Sequence, residues 1–321
     1  MQDVLISLVI CTYNPRRDYL ERVIESLKGQ ALPLVNWELV IVDNASQTPV
    51  ASFLDLSWHP RARIVLEKKQ GLTHARLCGI RHTNGPLILF IDDDNVLPAD
   101  YMAQALDLER EFPQLGVWGA AVITPEYEKA PAPELEPFCS ILALKNVARD
   151  SWSNLPELSE ISPFGAGMVV RRGLGEKYAA RKTEAGVFFG RSGSSLLSSD
   201  DYEISLIAAD EGTGYGVFRR LTLTHLIPSR RVEREYLLRL YEACAQSDLL
   251  LLLTRMKAKN PVGISLAQIA RRLLPPLYKM IAGRGIARSI FYRVFVGRCK
   301  ALRMDRDFTG PTHNIATATA T

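Results

Sequence analysis

Four apolar runs in the first hundred residues each end in a cluster of polar ones. Ile6-Ser7-Leu8-Val9-Ile10-Cys11 leads into Thr12-Tyr13-Asn14-Pro15, and Glu38-Leu39-Val40-Ile41-Val42 into Asp43-Asn44-Ala45-Ser46. Arg63-Ile64-Val65-Leu66 precedes Gln70-Gly71-Leu72, and Leu87 to Ile91, five apolar residues in a row, runs into Asp92-Asp93-Asp94-Asn95. Short runs of this kind read as strands, and an unbroken one reads as a strand buried on both faces, typical of a parallel sheet. Helical stretches fall between them, over Asp18 to Lys28 and about Thr73 to Thr83. Strand alternating with helix predicts an α/β fold: a mostly parallel central sheet flanked by helices.

The pattern then loosens. Ala130 to Leu158 is rich in Pro and Glu and reads as an extended connection. Ile161 to Val170 combines Gly165 and Gly167 with a strand, which suggests a floor under a ligand or a bulge. Ser192 to Ser199 is a loop of mostly small residues leading to Asp200-Asp201-Tyr202-Glu203 and a helix. Tyr215-Gly216-Val217 and Leu221-Thr222-Leu223 read as two strands that finish at Thr224-His225-Leu226-Ile227-Pro228. Glu235 to Thr254 predicts a long helix, and Ile264 to Leu274 and Ile286 to Leu302 alternate apolar with basic residues. The expected organisation is a catalytic domain over 1–232, a helical basic extension over 233–307 and a disordered tail over 308–321.

Charge sharpens that division. Arg255 to Arg303 holds 12 Lys/Arg and no Asp/Glu, leaving 27 basic against 35 acidic residues elsewhere: an acidic body with a basic tail. On Ile286 to Leu302 the apolar Ile286, Ile290, Phe291, Val294 and Phe295 share helical spacing among arginines, so residues 255–303 are expected to meet an anionic membrane surface rather than nucleic acid. Five scattered cysteines suggest neither a disulfide framework nor a zinc site, and the first residues lack the pattern of a signal peptide. No apolar stretch reaches the roughly 18 to 20 residues that cross a bilayer. The expectation is a cytoplasmic protein lying on the inner face of a membrane.

The candidate chemistry lies at strand ends, where open α/β sheets bind ligands. Three adjacent carboxylates repel one another unless a cation or donors sit among them, and a divalent metal would relieve that repulsion. If strand geometry persisted, Asp92 and Asp94 would share a face. The Asp200-Asp201 pair reads equally as a helix start or as a site.

Taken together the motifs resemble the family 2 glycosyltransferases. They are Leu8 to Asn14, Val40 to Ser46, Gly71-Leu72-Thr73-His74-Ala75-Arg76, Asp92-Asp93-Asp94 and Asp200-Asp201, in that order, and the resemblance covers about Ile6 to Pro228. It implies the GT-A fold and inverting transfer from a nucleotide sugar. It places Thr12, Tyr13 and Asn14 around the nucleobase, Asp43 on its imide edge and Arg76 on the nucleotide. Asp92 and Asp94 match the outer positions of an Asp-x-Asp motif that meets the ribose and a Mg2+ or Mn2+ on the diphosphate, with Asp93 between them. His225 matches a histidine that ligates the metal in some members, and Asp201 matches the general base. Asp200 stands where Glu is usual. The expected partners are a nucleotide-sugar donor, UDP-linked, and a glycan or lipid-linked acceptor in cell-surface polysaccharide synthesis. A sugar-nucleotide nucleotidyltransferase would carry a Gly- and Arg-rich loop after the first strand, which Thr12 to Arg17 does not resemble. An inactive nucleotide-sugar-binding module remains open if Asp200-Asp201 only starts a helix.

Overall fold

The structure, a computed structural model, describes residues 4–157, 159–185, 196–259 and 266–307. Two compact units emerge, Met1–Leu240 and Tyr241–Thr321. The first unit begins with β1 (Ile6–Thr12), α1 (Arg17–Lys28), β2 (Trp37–Asp43), β3 (Ala62–Leu66), α2 (Leu72–Arg81) and β4 (Leu87–Asp92). It continues through β5 (Asn95–Val96), α3 (Tyr101–Glu111), β6 (Leu115–Tyr127), β7 (Lys145–Asn146), β8 (Ser151–Ser153) and β9 (Met168–Arg171). Helices α4 (Arg172–Ala185) and α5 (Asp200–Asp210), strand β10 (Gly214–Ile227) and the start of α6 (Arg234–Lys259) complete it.

The sheet runs in the order β3-β2-β1-β4-β9-β6-β10-β5. The first four strands are mutually parallel, β9 lies antiparallel between β4 and β6, and β6 and β10 form a second parallel pair. Alternation along the strands sorts side chains into two layers. Leu8, Ile10, Leu39, Ile41, Leu89 and Ile91 face α1 and α3, whereas Val9, Val40, Val42, Ile88 and Phe90 face α2, α4 and α5. Both faces are therefore dry, which is why the strands read as unbroken apolar runs. From β1 the chain winds outward through β2 to β3 and then returns to β4 on the other side. The carboxyl ends of β1 and β4 thus flank a topological switch point, the crevice where such sheets take ligands.

Three expectations change. Residues 215–217 and 221–223 lie on one strand, β10, because a register irregularity between Phe218 and Thr222 absorbs the charged Arg219-Arg220. The Ala130 to Leu158 stretch is not merely extended: it holds a 3-10 turn at Glu136–Ile141 and the short strands β7 and β8, tied to β6 and β10. Strand geometry also ends at Asp92, and the chain turns at Asp93-Asp94, so alternation does not put Asp92 and Asp94 on a common face. Residues 192–195 of the small-residue loop, 264–265 of the predicted helix and the 308–321 tail lie outside the described residues.

The second unit holds the rest of α6 with α7 (Leu266–Ala282) and α8 (Gly285–Asp307). Glu242 accepts hydrogen bonds from Arg293 at 2.8 Å and from Lys300. A Cβ on Gly297 would stand 2.1 Å from the Glu242 carbonyl oxygen, so α8 crosses α6 at backbone contact. The apolar face expected to meet a membrane on α8 is not its exposed side: Ile290 is 1% exposed. The exposed stripe is on α7, where Leu274, Tyr278 and Ile281, at i, i+4 and i+7, are 59%, 72% and 71% exposed. Among the described residues no helix is long and apolar enough to cross a membrane.

Candidate active site

Strand register assembles the first half of the site. Thr12 pairs with Asp43 across β1 and β2, and Cys11 with Asp92 across β1 and β4, so three polar strand ends arrive side by side. Asn14 adopts a left-handed φ of 49°, which turns its backbone N–H toward Ser46 Oγ at 2.9 Å. Its side-chain Oδ1 accepts the Gln47 N–H at 2.8 Å. Tyr13, next to the braced Asn14, is 41% exposed. Asp43 is buried, and its two oxygens accept the N–H groups of Ser46 and Val50, each at 2.9 Å. It therefore shapes its own loop, with a lone pair left on each oxygen for a ligand.

The acidic triplet is not uniform. Thr12 Oγ1 donates to Asp93 Oδ2. Burial, then the neighbouring Asp94 and Asp92 charges, push the Asp93 carboxyl up to about 7 against the opposing Thr12 bond and Arg231. Asp92 receives its order from Asn95, whose Oδ1 accepts the Asp92 N–H at 2.9 Å. Asp94 is buried and meets His225 because β5 pairs antiparallel with β10, Asn95 opposite His225. His225 Nε2 lies 3.4 Å from Asp94 Oδ1, and Arg231 Nη1 lies 2.9 Å from Asp94 Oδ2.

The second half is the start of α5. Asp200 is 2% exposed; its Oδ2 accepts Thr73 Oγ1 at 2.6 Å and stands 3.8 Å from Arg76 Nη1, while its Oδ1 is 3.9 Å from Lys182 Nζ. Lys182, itself buried, also pairs with Glu203. Arg76 is likewise buried. Burial opposes its charge, but Asp200, Asp201 and Asp92 together outweigh that and hold its pKa above the ordinary arginine value. Arg76 is thus a cationic tie between the triplet and α5. Asp201 is only half-buried. Its Oδ2 accepts the Gly165 N–H at 3.2 Å and its Oδ1 the Tyr202 N–H at 3.0 Å.

The two glycines expected to floor a ligand have protein neighbours instead. A Cβ at Gly165 would lie 2.0 Å from Arg76 Nη2, and one at Gly167 would lie 2.4 Å from the Tyr101 hydroxyl. Gly167 also has φ +76°, and its carbonyl accepts the Tyr101 hydroxyl at 2.6 Å. Both glycines make room for side chains that brace the segment from behind.

Sequence reasoning missed Lys145, Lys182 and Arg231. Lys145 is buried, with Nζ 2.5 Å from the Glu160 carbonyl, 3.0 Å from the Ser162 carbonyl and 4.0 Å from the Phe164 ring centroid. Burial pushes its ammonium down to about 8, although Asp201 and Glu160 favour the charge. It sits in the Pro-rich stretch that had no periodic pattern. Arg231 lies six residues past His225, a spacing that carries no signal by itself.

Residues 7–150 match the family model described as Glycosyl transferase family 2. Over that stretch the chain is similar to the family 2 glycosyltransferases. Among curated proteins, EpsH of Bacillus subtilis (strain 168), a glycosyltransferase by name, is 30% identical over 108 residues, 33% of this chain and 30% of that protein. The uncharacterized glycosyltransferase YwdF of the same organism is 37% identical over 90 residues, 28% of this chain and 32% of that protein. The aligned portion thus spans about a third of either relative. The crystal structure of S. aureus TarS 1-349 superimposes with a TM-score of 0.50 at 14% identity, covering 94% of this chain and 92% of that one. The mannosyltransferase PcManGT from Pyrobaculum calidifontis, solved with GDP-Man and Mn2+, gives 0.52 at 18% identity over 92% and 86%. At such identities the likeness is one of fold, and the fold is GT-A, as the sequence motifs imply.

The donor set suits a divalent cation in kind: carboxylates from Asp92 and Asp94, and the His225 imidazole. Among the described residues no three Asp, Glu, His or Cys side chains stand gathered closely enough to hold one. A cation nevertheless already touches two of these donors, because Arg231 Nη1 contacts both Asp94 Oδ2, at 2.9 Å, and His225 Nε2, at 3.3 Å. In donor chemistry, though not in their spacing here, these side chains fit a divalent ion.

Proposed function

We propose that the protein transfers a sugar from a nucleoside-diphosphate donor, UDP-linked, to a hydroxyl of a glycan or lipid-linked acceptor, with inversion at the anomeric carbon. The observation that carries this reading is a buried guanidinium between two acidic centres: Arg76 Nη1 stands 3.8 Å from Asp200 at the start of α5, and the charges of Asp201 and of Asp92 in the triplet also favour its cation. Thr12, Tyr13, Asn14 and Asp43 form the base-binding end. Asp201 takes the proton of the attacking hydroxyl: it is the half-buried member of its pair, while buried Asp200 holds Arg76 and Thr73 in place. The Gly165 and Tyr202 N–H groups fix the orientation of the Asp201 carboxylate. Asp92, Asp94 and His225 would hold a divalent cation, Mg2+ or Mn2+, which would supply neutralisation of charge on the departing diphosphate.

The reading includes the inner face of a membrane in polysaccharide synthesis. Its support is the stripe of Leu274, Tyr278 and Ile281 on α7 within a segment, Arg255 to Arg303, that holds 12 basic and no acidic residues. Flotation with anionic vesicles should be lost when Tyr278 and Ile281 are both changed to Ser, and retained binding would remove the membrane from the reading.

The test of the transferase reading is thermal unfolding with UDP and with GDP, each with and without Mn2+, since a ligand bound only by the folded state raises its melting temperature. A shift with UDP that needs Mn2+ and vanishes in Asp94→Asn supports the reading. No shift with either nucleotide sinks it.

A further inference from the structure

Asp94 carries a cation of the chain's own. Arg231 Nη1 stands 2.9 Å from Asp94 Oδ2 and 3.3 Å from His225 Nε2, and those two groups lie 3.4 Å apart through Asp94 Oδ1. A guanidinium nitrogen thus occupies the point on which both ligands converge. A divalent ion held by Asp94 and His225 would need that same place. The two cannot share the place.

We propose that Arg231 is a donor-binding residue stored on Asp94: it leaves the carboxylate when a divalent cation takes that position, and its freed guanidinium closes on the diphosphate of the nucleotide sugar. The inference rests on the function proposed above. Three features support it. The backbone beneath Arg231 is fixed, with Ser229 N–H bound to Glu128 Oε2 at 2.8 Å, Arg231 N–H to the Pro228 carbonyl at 2.9 Å, and Arg16 holding Glu128 at 2.9 Å. The side chain itself is 21% exposed above that backbone. The charges also require a rearrangement. Asp92, Asp93 and Asp94 act on Arg231, and Arg76 is shared among Asp92, Asp200 and Asp201, so a diphosphate arriving beside the triplet meets net repulsion until one more cation enters. Once Asp94 has a divalent partner, a guanidinium beside it is surplus there, and its planar fork matches two phosphate oxygens.

The experiment compares the full chain with its Arg231→Gln and Arg231→Lys variants. Binding of Mn2+ alone is followed from the electron paramagnetic resonance of the free ion, and binding of UDP and GDP by titration calorimetry in saturating Mn2+. Removing the competing guanidinium should tighten Mn2+ binding by Arg231→Gln about tenfold and weaken nucleotide binding about tenfold. Arg231→Lys, which keeps the charge and loses the fork, should also bind the nucleotide less well, and it decides the matter if the Gln variant does not fold. A merely structural arginine would weaken both ligands together. Mn2+ affinity that is unchanged or lower in the variants, or nucleotide affinity equal to wild type, overturns the exchange. Wild type that binds neither nucleotide with Mn2+ overturns the proposed function and this inference with it, so the two failures are distinct.

Discussion

Replacing Gly165 by Ala should uncouple the two halves of the site. The added Cβ would stand 2.0 Å from Arg76 Nη2 and 3.1 Å from Cζ. Carbon and nitrogen atoms in contact rest at roughly 3.5 Å, so the guanidinium has to retreat by about 1.5 Å. Arg76 has a flexible tip but little free space, since its side chain is 6% exposed and its partner Asp200 1%. Withdrawal therefore lengthens a buried ion pair now at 3.8 Å and leaves Asp200 without its arginine. Breaking a buried pair costs about 3 to 5 kcal/mol, and because Lys182 still neighbours Asp200, the lower end, about 3 kcal/mol, is expected. Urea denaturation followed by circular dichroism measures this directly. Gly173→Ala is the control, because a Cβ there meets nothing within 4 Å. In an Arg76→Ala background the methyl has room, and its added cost should fall below about 1 kcal/mol. Equal stability of Gly165→Ala and Gly173→Ala, or a full cost in the Arg76→Ala background, would refute the argument.

Asp201→Asn should lower kcat by about 10²- to 10⁴-fold while nucleotide binding in the calorimeter stays unchanged; undiminished turnover would mean another base. His59 is buried, accepts the Arg61 N–H on Nδ1 at 3.1 Å, and burial pushes its pKa down to about 4 from 6.5. The unfolded chain then binds more protons between those values, so stability falls as pH drops through that window, by about 1 kcal/mol from this residue near about pH 5.5. His59→Phe should flatten that part of the stability profile, and an unchanged slope would assign it to other groups. In the second unit, Gly297→Ala should lower the melting temperature, because its Cβ meets the Glu242 carbonyl oxygen at 2.1 Å and overpacking costs about 1 to 3 kcal/mol; an unaltered melt would mean that α6 and α8 are not in backbone contact.

Much of the first half of the site was legible because its information is local. Apolar runs buried on both faces marked β1, β2 and β4, and the polar residues directly after them had to emerge at one edge of a parallel sheet. That determined the neighbourhood of Thr12, Asp43 and Asp92 before any contact was known. Asp201 could be named as a candidate from the motif, but the division of labour with Asp200 could not, since burial depends on α2 and α4 packing over the start of α5. The glycines show the same limit. Gly165 and Gly167 announced a close approach, yet only packing revealed that Arg76 and Tyr101 are what approaches.

The α/β plan, the polar strand ends and the separation of an acidic body from a basic tail are readable in the chain, because each follows from periodicity or composition over a few neighbouring residues. Tertiary structure alone decided the charge pairing. Arg76 with Asp200, Lys182 with Glu203, and Arg231 with Asp94 join residues that are far apart in the chain and carry no periodic signal. A buried charge takes whichever opposite charge the fold brings near, and in this protein that choice was made by the β5 to β10 pairing and by the helices packed on the sheet.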